Sequence, residues 1–151
     1  MTVHNAEIAD LLERLADLLE IEDANPFRVR AYRNAALTVH GYGRSMSELL
    51  DEGADLTKLP GIGKEIAAKI KTIVDTGELP ALQEVERRTP GALADMMRIP
   101  GLGPKRVKTL YKELNIRSVE DLARAIRTGK IRDLPGFGVK TEAHASSVPA
   151  S

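Results

Sequence analysis

The chain of 151 residues contains no cysteine and no tryptophan, and aromatic residues make up only 3% of it. The lack of cysteine excludes disulfide bonds and thiolate metal sites, and it permits a reducing compartment. With so few aromatic side chains, the core has to be built from leucine, isoleucine, valine and alanine. That composition suits helices that pack on each other.

The sequence also lacks any apolar run that approaches membrane-spanning length. Its first fifteen residues, MTVHNAEIADLLERL, carry acidic residues inside the apolar stretch and show no signal-peptide pattern. We therefore expect a cytoplasmic protein that does not contact a membrane. We also expect it to be a monomer.

Neither sign of charge is in excess, because 22 lysines and arginines balance 22 aspartates and glutamates. A net charge of zero argues against indiscriminate nucleic-acid binding. The charges are nevertheless segregated along the chain. Seven acids and one base precede Ala24, whereas residues 24–47 hold four arginines and no acid, and residues 98–112 hold five bases and no acid. We therefore expect a local basic surface on a neutral protein.

Helical periodicity accounts for most of the chain, and no segment shows the alternating pattern of a strand. Residues 5–21 place leucines and isoleucines at helical spacing, and Asn-Pro then opens a second helix at residues 26–40. We predict an all-α fold of two small helical domains. Their predicted bounds are 1–82 and 83–142, followed by a disordered tail at 143–151.

One short turn occurs three times: LPGIGKEIAAKI at residues 59–70, IPGLGPKRVKTL at 99–110 and LPGFGVKTE at 134–142. Each copy reads apolar–Pro–Gly–apolar–Gly and is followed by a helix start. The glycines permit backbone angles closed to other residues, and the helix start carries free N–H groups and the positive end of the dipole. Together these features predict a binding site for a phosphate oxygen.

Basic side chains follow each turn, where they add charge around that phosphate, and nothing in the turns can read a base edge. We therefore expect binding to the nucleic-acid backbone that is independent of sequence and sensitive to salt. A plain helix-turn-helix joint is the alternative, and a nucleotide-binding glycine loop would need a preceding strand. The predicted phosphate-binding residues of the turns are Gly61, Gly63, Lys64, Gly101, Gly103, Lys105, Arg106, Gly136, Gly138 and Lys140.

The turns resemble helix-hairpin-helix motifs, and residues 5–142 resemble the N-terminal region of bacterial and archaeal family X DNA polymerases, relatives of DNA polymerase beta. The resemblance rests on ADLLEIEDANPFRVRAYRNAA, LTKLPGIGKEIAAKI, IPGLGPKRVKTLY and LPGFGVKTE. It implies that the first domain grips the 5′ side of a DNA gap and that the second binds the adjoining duplex. The implied partner is gapped or nicked DNA with a 5′-phosphate, and the implied process is base excision or gap-filling repair.

The predicted second helix carries Arg28, Arg30 and Arg33 without any acid among them. This clustering favours phosphate contacts over a solvated face. The resemblance implies that Arg28 helps to hold the 5′-phosphate and that Tyr32 lines the same pocket. For Tyr32, filling the core is the alternative.

Some members of the family remove a 5′-deoxyribose phosphate through a lysine Schiff base, and the resemblance places that lysine at Lys69. Two departures weaken such a lyase pocket: Glu65 replaces a lysine of polymerase beta, and Phe27 replaces a histidine. A solvated helix lysine is therefore the alternative for Lys69.

The resemblance also implies an alkali cation, Na⁺ or K⁺, at each of the first two hairpins. A cation between backbone carbonyls and a phosphate cancels the repulsion between them. By motif position, the carbonyls belong to Thr57, Leu59 and Ile62 in the first hairpin and to Met97, Ile99 and Leu102 in the second.

A polymerase centre needs paired aspartates on strands to hold two magnesium ions, and the sequence has no Asp-x-Asp element and no strand region. We therefore expect Mg²⁺ chemistry only in a domain that these residues lack. These 151 residues alone should not carry out nucleotidyl transfer. The loss of pattern after Glu142 favours a truncated piece over a free-standing DNA-binding remnant. A protein-interaction module is a further alternative, because helix-hairpin-helix folds sometimes dock partners instead of DNA.

Overall fold

The computed structural model describes residues 3–131, which form eight α-helices and one short 3-10 helix and, within that range, no strand. The all-α prediction is confirmed. The chain divides into two compact units, one ending at Arg87 and the other beginning at Arg88. The third repeated turn, with Gly136, Gly138 and Lys140, and the predicted tail at 143–151 lie outside the described residues.

Within residues 3–131, the first unit holds five α-helices and the second holds three. The first unit contains α1 (Asn5–Ile21), α2 (Pro26–Gly41), α3 (Met46–Asp51), the 3-10 helix (Leu56–Lys58), α4 (Lys64–Thr76) and α5 (Pro80–Glu86). The second unit contains α6 (Ala92–Met96), α7 (Pro104–Leu114) and α8 (Val119–Arg127).

The division lies after Arg87, later than the predicted boundary between residues 82 and 83. The reason is that α5 packs against α1, with Leu82 and Val85 buried. An ion pair of 3.7 Å between Arg14 of α1 and Glu86 of α5 lies in the same contact. The predicted boundary falls inside α5, whereas the whole of this helix belongs to the core of the first unit.

Helix α1 forms because its leucines recur every three or four residues, which places them on one face. Leu12, Leu15 and Leu19 are buried there, and they pack against the apolar face of α2. Each leucine removed from water contributes about 1.5–3 kcal/mol, so this pair of helices supplies much of the first unit's stability.

Local sequence signals set the helix ends. The Asn25 side chain accepts the Phe27 N–H at 2.9 Å at the start of α2, and Ser118 accepts the Asp121 N–H at 3.1 Å at the start of α8. Gly77 ends α4 in the left-handed conformation at φ +77°.

All three described helices of the second unit contribute buried side chains. Its buried side chains include Leu93, Met96, Val107, Leu110, Leu122 and Ala125.

Arg33 of α2 is held by three carboxylates of α1. Its guanidinium donates to Glu13 and Asp17 at 2.7 Å each and to Glu20 at 2.5 Å. Burial alone would lower the pKa of Arg33, but the hydrogen bonds to Asp17 and Glu20 outweigh it and raise that pKa. The prediction that Arg33 contacts DNA is therefore not supported, because three carboxylates of the first unit hold its guanidinium.

We expect Arg33→Gln to lower the free energy of unfolding by about 2 kcal/mol, because three clustered carboxylates would lose their shared cation. The partial exposure of the cluster keeps the cost below that of a fully buried charge. Urea unfolding measures the change. Arg30→Gln, on the exposed side of the same helix, should stay within about 0.5 kcal/mol of the parent chain. Equal stability of the two variants would contradict the structural role of Arg33.

Candidate functional site

The first hairpin joins the 3-10 helix to α4 through a tight turn. The Ile62 N–H donates to the Leu59 carbonyl at 3.2 Å, and the Ala67 N–H donates to the Gly63 carbonyl at 2.9 Å. The Ile62 side chain is only 3% exposed, whereas Gly61 and Gly63 on either side of it are exposed. The buried isoleucine thus anchors the turn while its glycine backbone faces solvent.

The second hairpin repeats this geometry between α6 and α7. The Leu102 N–H donates to the Ile99 carbonyl at 3.0 Å, and Leu102 is again 3% exposed. Gly63 and Gly103 start their helices with nearly identical angles, φ −90° and ψ −178° against φ −91° and ψ −178°. The repeated sequence therefore produces a repeated structure.

The two glycines of each turn have different roles. Gly61 and Gly101 are left-handed, at φ +73° and +87°, which disfavours any side chain. Gly63 and Gly103 have extended angles that any residue adopts. A Cβ added at Gly63 would meet no atom within 4 Å, so the space over the start of α4 is open. The prediction that the glycines adopt backbone angles closed to other residues therefore holds for the first glycine of each turn only. The second glycine contributes by having no side chain over the start of the helix.

Basic side chains border both turns. Lys64, at the first position of α4, and Lys105, at the second position of α7, are exposed. Arg106 donates to the Gly101 carbonyl at 2.8 Å, so its guanidinium lies against the turn itself. Each hairpin therefore combines the first N–H groups of a helix, which lack intrahelical partners, with nearby cations. This combination suits an anion.

Helix α2 braces the first hairpin from the side. The Thr38 hydroxyl donates to the Pro60 carbonyl at 2.8 Å, and the space beside Gly61 is bounded by Asn34. The exposed face of α2 is thereby placed next to the first turn. Phe27 and Leu37, which are 75% and 71% exposed, lie on this face.

Four residues that the sequence analysis discussed for the lyase pocket lie close together behind the first hairpin. They are Arg28, Tyr32, Glu65 and Lys69. One oxygen of Glu65 lies 3.2 Å from the Lys69 ammonium and 3.4 Å from the Tyr32 hydroxyl. The hydrogen bond from Lys69 lowers the pKa of Glu65, with smaller effects from the positive charge of Arg28 and from Tyr32. The ring of Tyr32 is buried, its hydroxyl reaches this cluster, and the Arg28 guanidinium lies 5.9 Å from the centre of the ring.

The carbonyls predicted to hold alkali cations lie at the ends of the preceding helical segments and in the turns that follow them. The last carbonyls of a helical segment lack intrahelical partners. Those of Leu59 and Ile99 each accept one turn hydrogen bond, and a carbonyl oxygen has a second lone pair. Oxygen donors of this kind fit a hard cation.

Side chains offer no comparable metal site: residues 3–131 contain no group of three or more histidines and carboxylates arranged around a common point. Over the same range, no helix is both long and apolar enough to cross a membrane.

Known proteins share this pattern of hairpins. Residues 3–79 match the helix-hairpin-helix domain, and residues 93–143 match the SAM-like helix-hairpin-helix tandem. The chain is 37% identical over 140 residues to the DNA polymerase/3′-5′ exonuclease PolX of Bacillus subtilis (strain 168). That match covers 93% of the chain and 24% of the relative, so the chain spans about a quarter of the relative's length. The predicted resemblance to family X DNA polymerases is confirmed.

We expect Gly61→Ala to lower the free energy of unfolding by about 1 kcal/mol, because an alanine at φ +73° is strained. Crowding adds little, since the new Cβ would lie 3.6 Å from the Asn34 Cβ, an ordinary contact. Urea unfolding of Gly43→Ala provides the control, because a Cβ at Gly43 meets no atom within 4 Å. If both variants unfold at the same urea concentration, the left-handed turn does not constrain the hairpin.

Proposed function

The chain belongs to the helix-hairpin-helix family, and on that premise we propose that it binds the phosphate backbone of gapped or nicked DNA carrying a 5′-phosphate. The observation that carries the proposal is the pair of hairpins, each of which exposes a helix start between a left-handed glycine and a basic side chain. We further propose that the chain acts as the DNA-binding part of a family X repair polymerase in gap filling. The identity to a DNA polymerase/exonuclease over most of this chain supports that assignment.

Binding through these turns should not depend on base sequence. The groups that the turns present are backbone N–H groups and flexible cations, which recognise phosphate oxygens. The base-reading side chains of DNA-binding proteins need a groove-inserted helix or strand with amide or guanidinium groups aimed at base edges. The hairpin turns themselves hold glycine, proline and buried apolar residues, which cannot make such contacts.

The first hairpin is the better candidate for the 5′-phosphate. Lys64 is exposed at the start of α4, and Arg28 is exposed at the start of α2 and close enough to affect Glu65. A terminal phosphate carries more charge than an internal one, so it gains more from two cations and a helix start.

Alkali cations would be held at the two hairpins by the carbonyls of Thr57, Leu59 and Ile62 and of Met97, Ile99 and Leu102. A bound cation supplies positive charge between those carbonyls and a phosphate oxygen. The residues themselves only orient the carbonyls, because Leu59 and Ile99 are fixed by the turn hydrogen bonds.

We expect the full chain to bind a gapped duplex about tenfold more tightly with the 5′-phosphate than without it, because a charge-assisted hydrogen bond contributes about 1.5–3 kcal/mol. Lys64→Gln should remove most of this difference. Fluorescence anisotropy at low and high salt measures both effects.

Lys71→Gln serves as the matched control for Lys64→Gln, because it removes one charge from the same helix where Lys71 pairs with Asp75 at 3.3 Å. It should retain the phosphate preference. Equal affinity of the parent chain for the two DNA ends would contradict the gap-end assignment. No binding to any DNA would contradict the whole proposal and favour a protein partner.

A second candidate function is 5′-deoxyribose-phosphate lyase activity with Lys69 as the nucleophile. The Lys69 amine would form a Schiff base with the sugar aldehyde and release water. Loss of a C2′ proton and cleavage of the C3′–O bond would then free the DNA 5′-phosphate. The observation that favours it is the position of Lys69 behind the first hairpin, 21% exposed and held toward Tyr32 through Glu65.

The carboxylate of Glu65 opposes this chemistry, because it holds the Lys69 ammonium at 3.2 Å and the amine has to leave this ion pair to attack the aldehyde. We therefore expect borohydride trapping on DNA with an incised abasic site to be weak in the parent chain. Glu65→Gln should increase the trapped fraction several-fold by the same argument. An adduct that persists at full yield in Lys69→Ala would remove Lys69 from the role.

A further inference from the structure

Three lysines of α7 share one face of the helix. Lys105, Lys108 and Lys112 are separated by three and four residues, a spacing that stacks side chains on one side. Lys105 and Lys112 are exposed and Lys108 is partly exposed. We call these three residues the lysine face.

The hairpin fold does not require this face. Counted from Gly63 and Gly103, the positions of the three lysines correspond in α4 to Glu65, Ala68 and Thr72. The first hairpin therefore has the same backbone and no lysine at any of the three positions. The lysine face distinguishes the second hairpin from the first.

Within residues 3–131, no lysine of this face pairs with a carboxylate of the chain. Glu113 is the acidic residue of α7, and its spacing from the lysines, one, five and eight residues, places it off their face. Lys71 on α4, by comparison, is neutralised by Asp75 one turn later. Among the described residues, therefore, no acid neutralises the lysine face, and its charge suits an external anion.

The face continues past the end of α7 through an aromatic ring. The Lys112 ammonium lies 5.6 Å and the Arg117 guanidinium 6.0 Å from the centre of the Tyr111 ring. Asp121 accepts the Arg117 backbone N–H, and its carboxylate also pairs with Arg124 at 3.4 Å. Two cations thus lie beside one ring at the end of α7, where the negative end of the helix dipole favours positive charge.

We propose that the lysine face, extended by Arg117, binds phosphates of the DNA backbone beyond the one held by the second turn. The proposal rests on the proposed DNA binding and adds residues to it. From Lys105 to Lys112 the helix rises about 10.5 Å. Phosphates of one strand are about 3.4 Å apart along the duplex axis, so the face spans about three of them.

The test compares the salt dependence of duplex binding by the parent chain and by Lys108→Gln/Lys112→Gln. Each phosphate contact contributes about 0.9 to the slope of log K against log salt, so the double variant should lose about 1.8 of the slope. Lys108→Arg/Lys112→Arg should keep the parent slope, because it keeps both charges. Thermal unfolding of each variant confirms that it is folded.

Lys71→Gln/Arg87→Gln controls for net charge, since it also removes two charges, from residues paired with Asp75 and Glu84. It should leave the slope close to the parent value. If the parent chain binds and the lysine variant keeps its slope, the inference is wrong, and an acidic protein partner becomes the better occupant of the face. If the parent chain binds no DNA, the proposed function itself is wrong, and the inference fails with it.

Discussion

The structure depends on a buried apolar side chain between two exposed glycines. Ile62 and Leu102 fill this position in the two hairpins, and each is almost fully buried. Because the side chain is fixed in the core, the glycine before it must turn back in the left-handed region, and the glycine after it opens the next helix. The N–H groups at that helix start then face solvent instead of protein. The candidate phosphate site, which is made of backbone, therefore depends on how the core is packed.

The charges of the chain are sorted by the same packing. Three acids of α1 are satisfied by Arg33, so the acidic N-terminal helix does not repel an anion with its full charge. Arg28 and Arg30 remain exposed on α2, and Lys64 is exposed beside the first turn. The net charge of zero therefore conceals local differences between charges that are paired and charges that are exposed.

Much of this could be predicted from the sequence, because local signals determine it. The leucine spacing of α1, the Asn25 cap and the Gly77 stop define helices whose observed bounds agree closely with the pattern. The repeated Pro-Gly-x-Gly turns were correctly predicted to open α4 and α7. The backbone states of Gly61 and Gly63 were not distinguished, since both are glycine and only the three-dimensional turn separates them.

The features that the sequence did not predict depend on tertiary contacts. The acid-free run around Arg33 indicated DNA contact, but the pairing of α1 with α2 directs that side chain to Glu13, Asp17 and Glu20. Those acids are four and three residues apart, so their common face on α1 was a signal present in the sequence.

The most direct test of DNA-backbone binding is the affinity of the chain for two duplexes of unrelated sequence over a range of salt. We expect equal affinities for the two duplexes, and we expect log K to fall linearly with log salt with a slope of about −2 or steeper for two hairpins. A flat response, or a strong preference for one sequence, would contradict it.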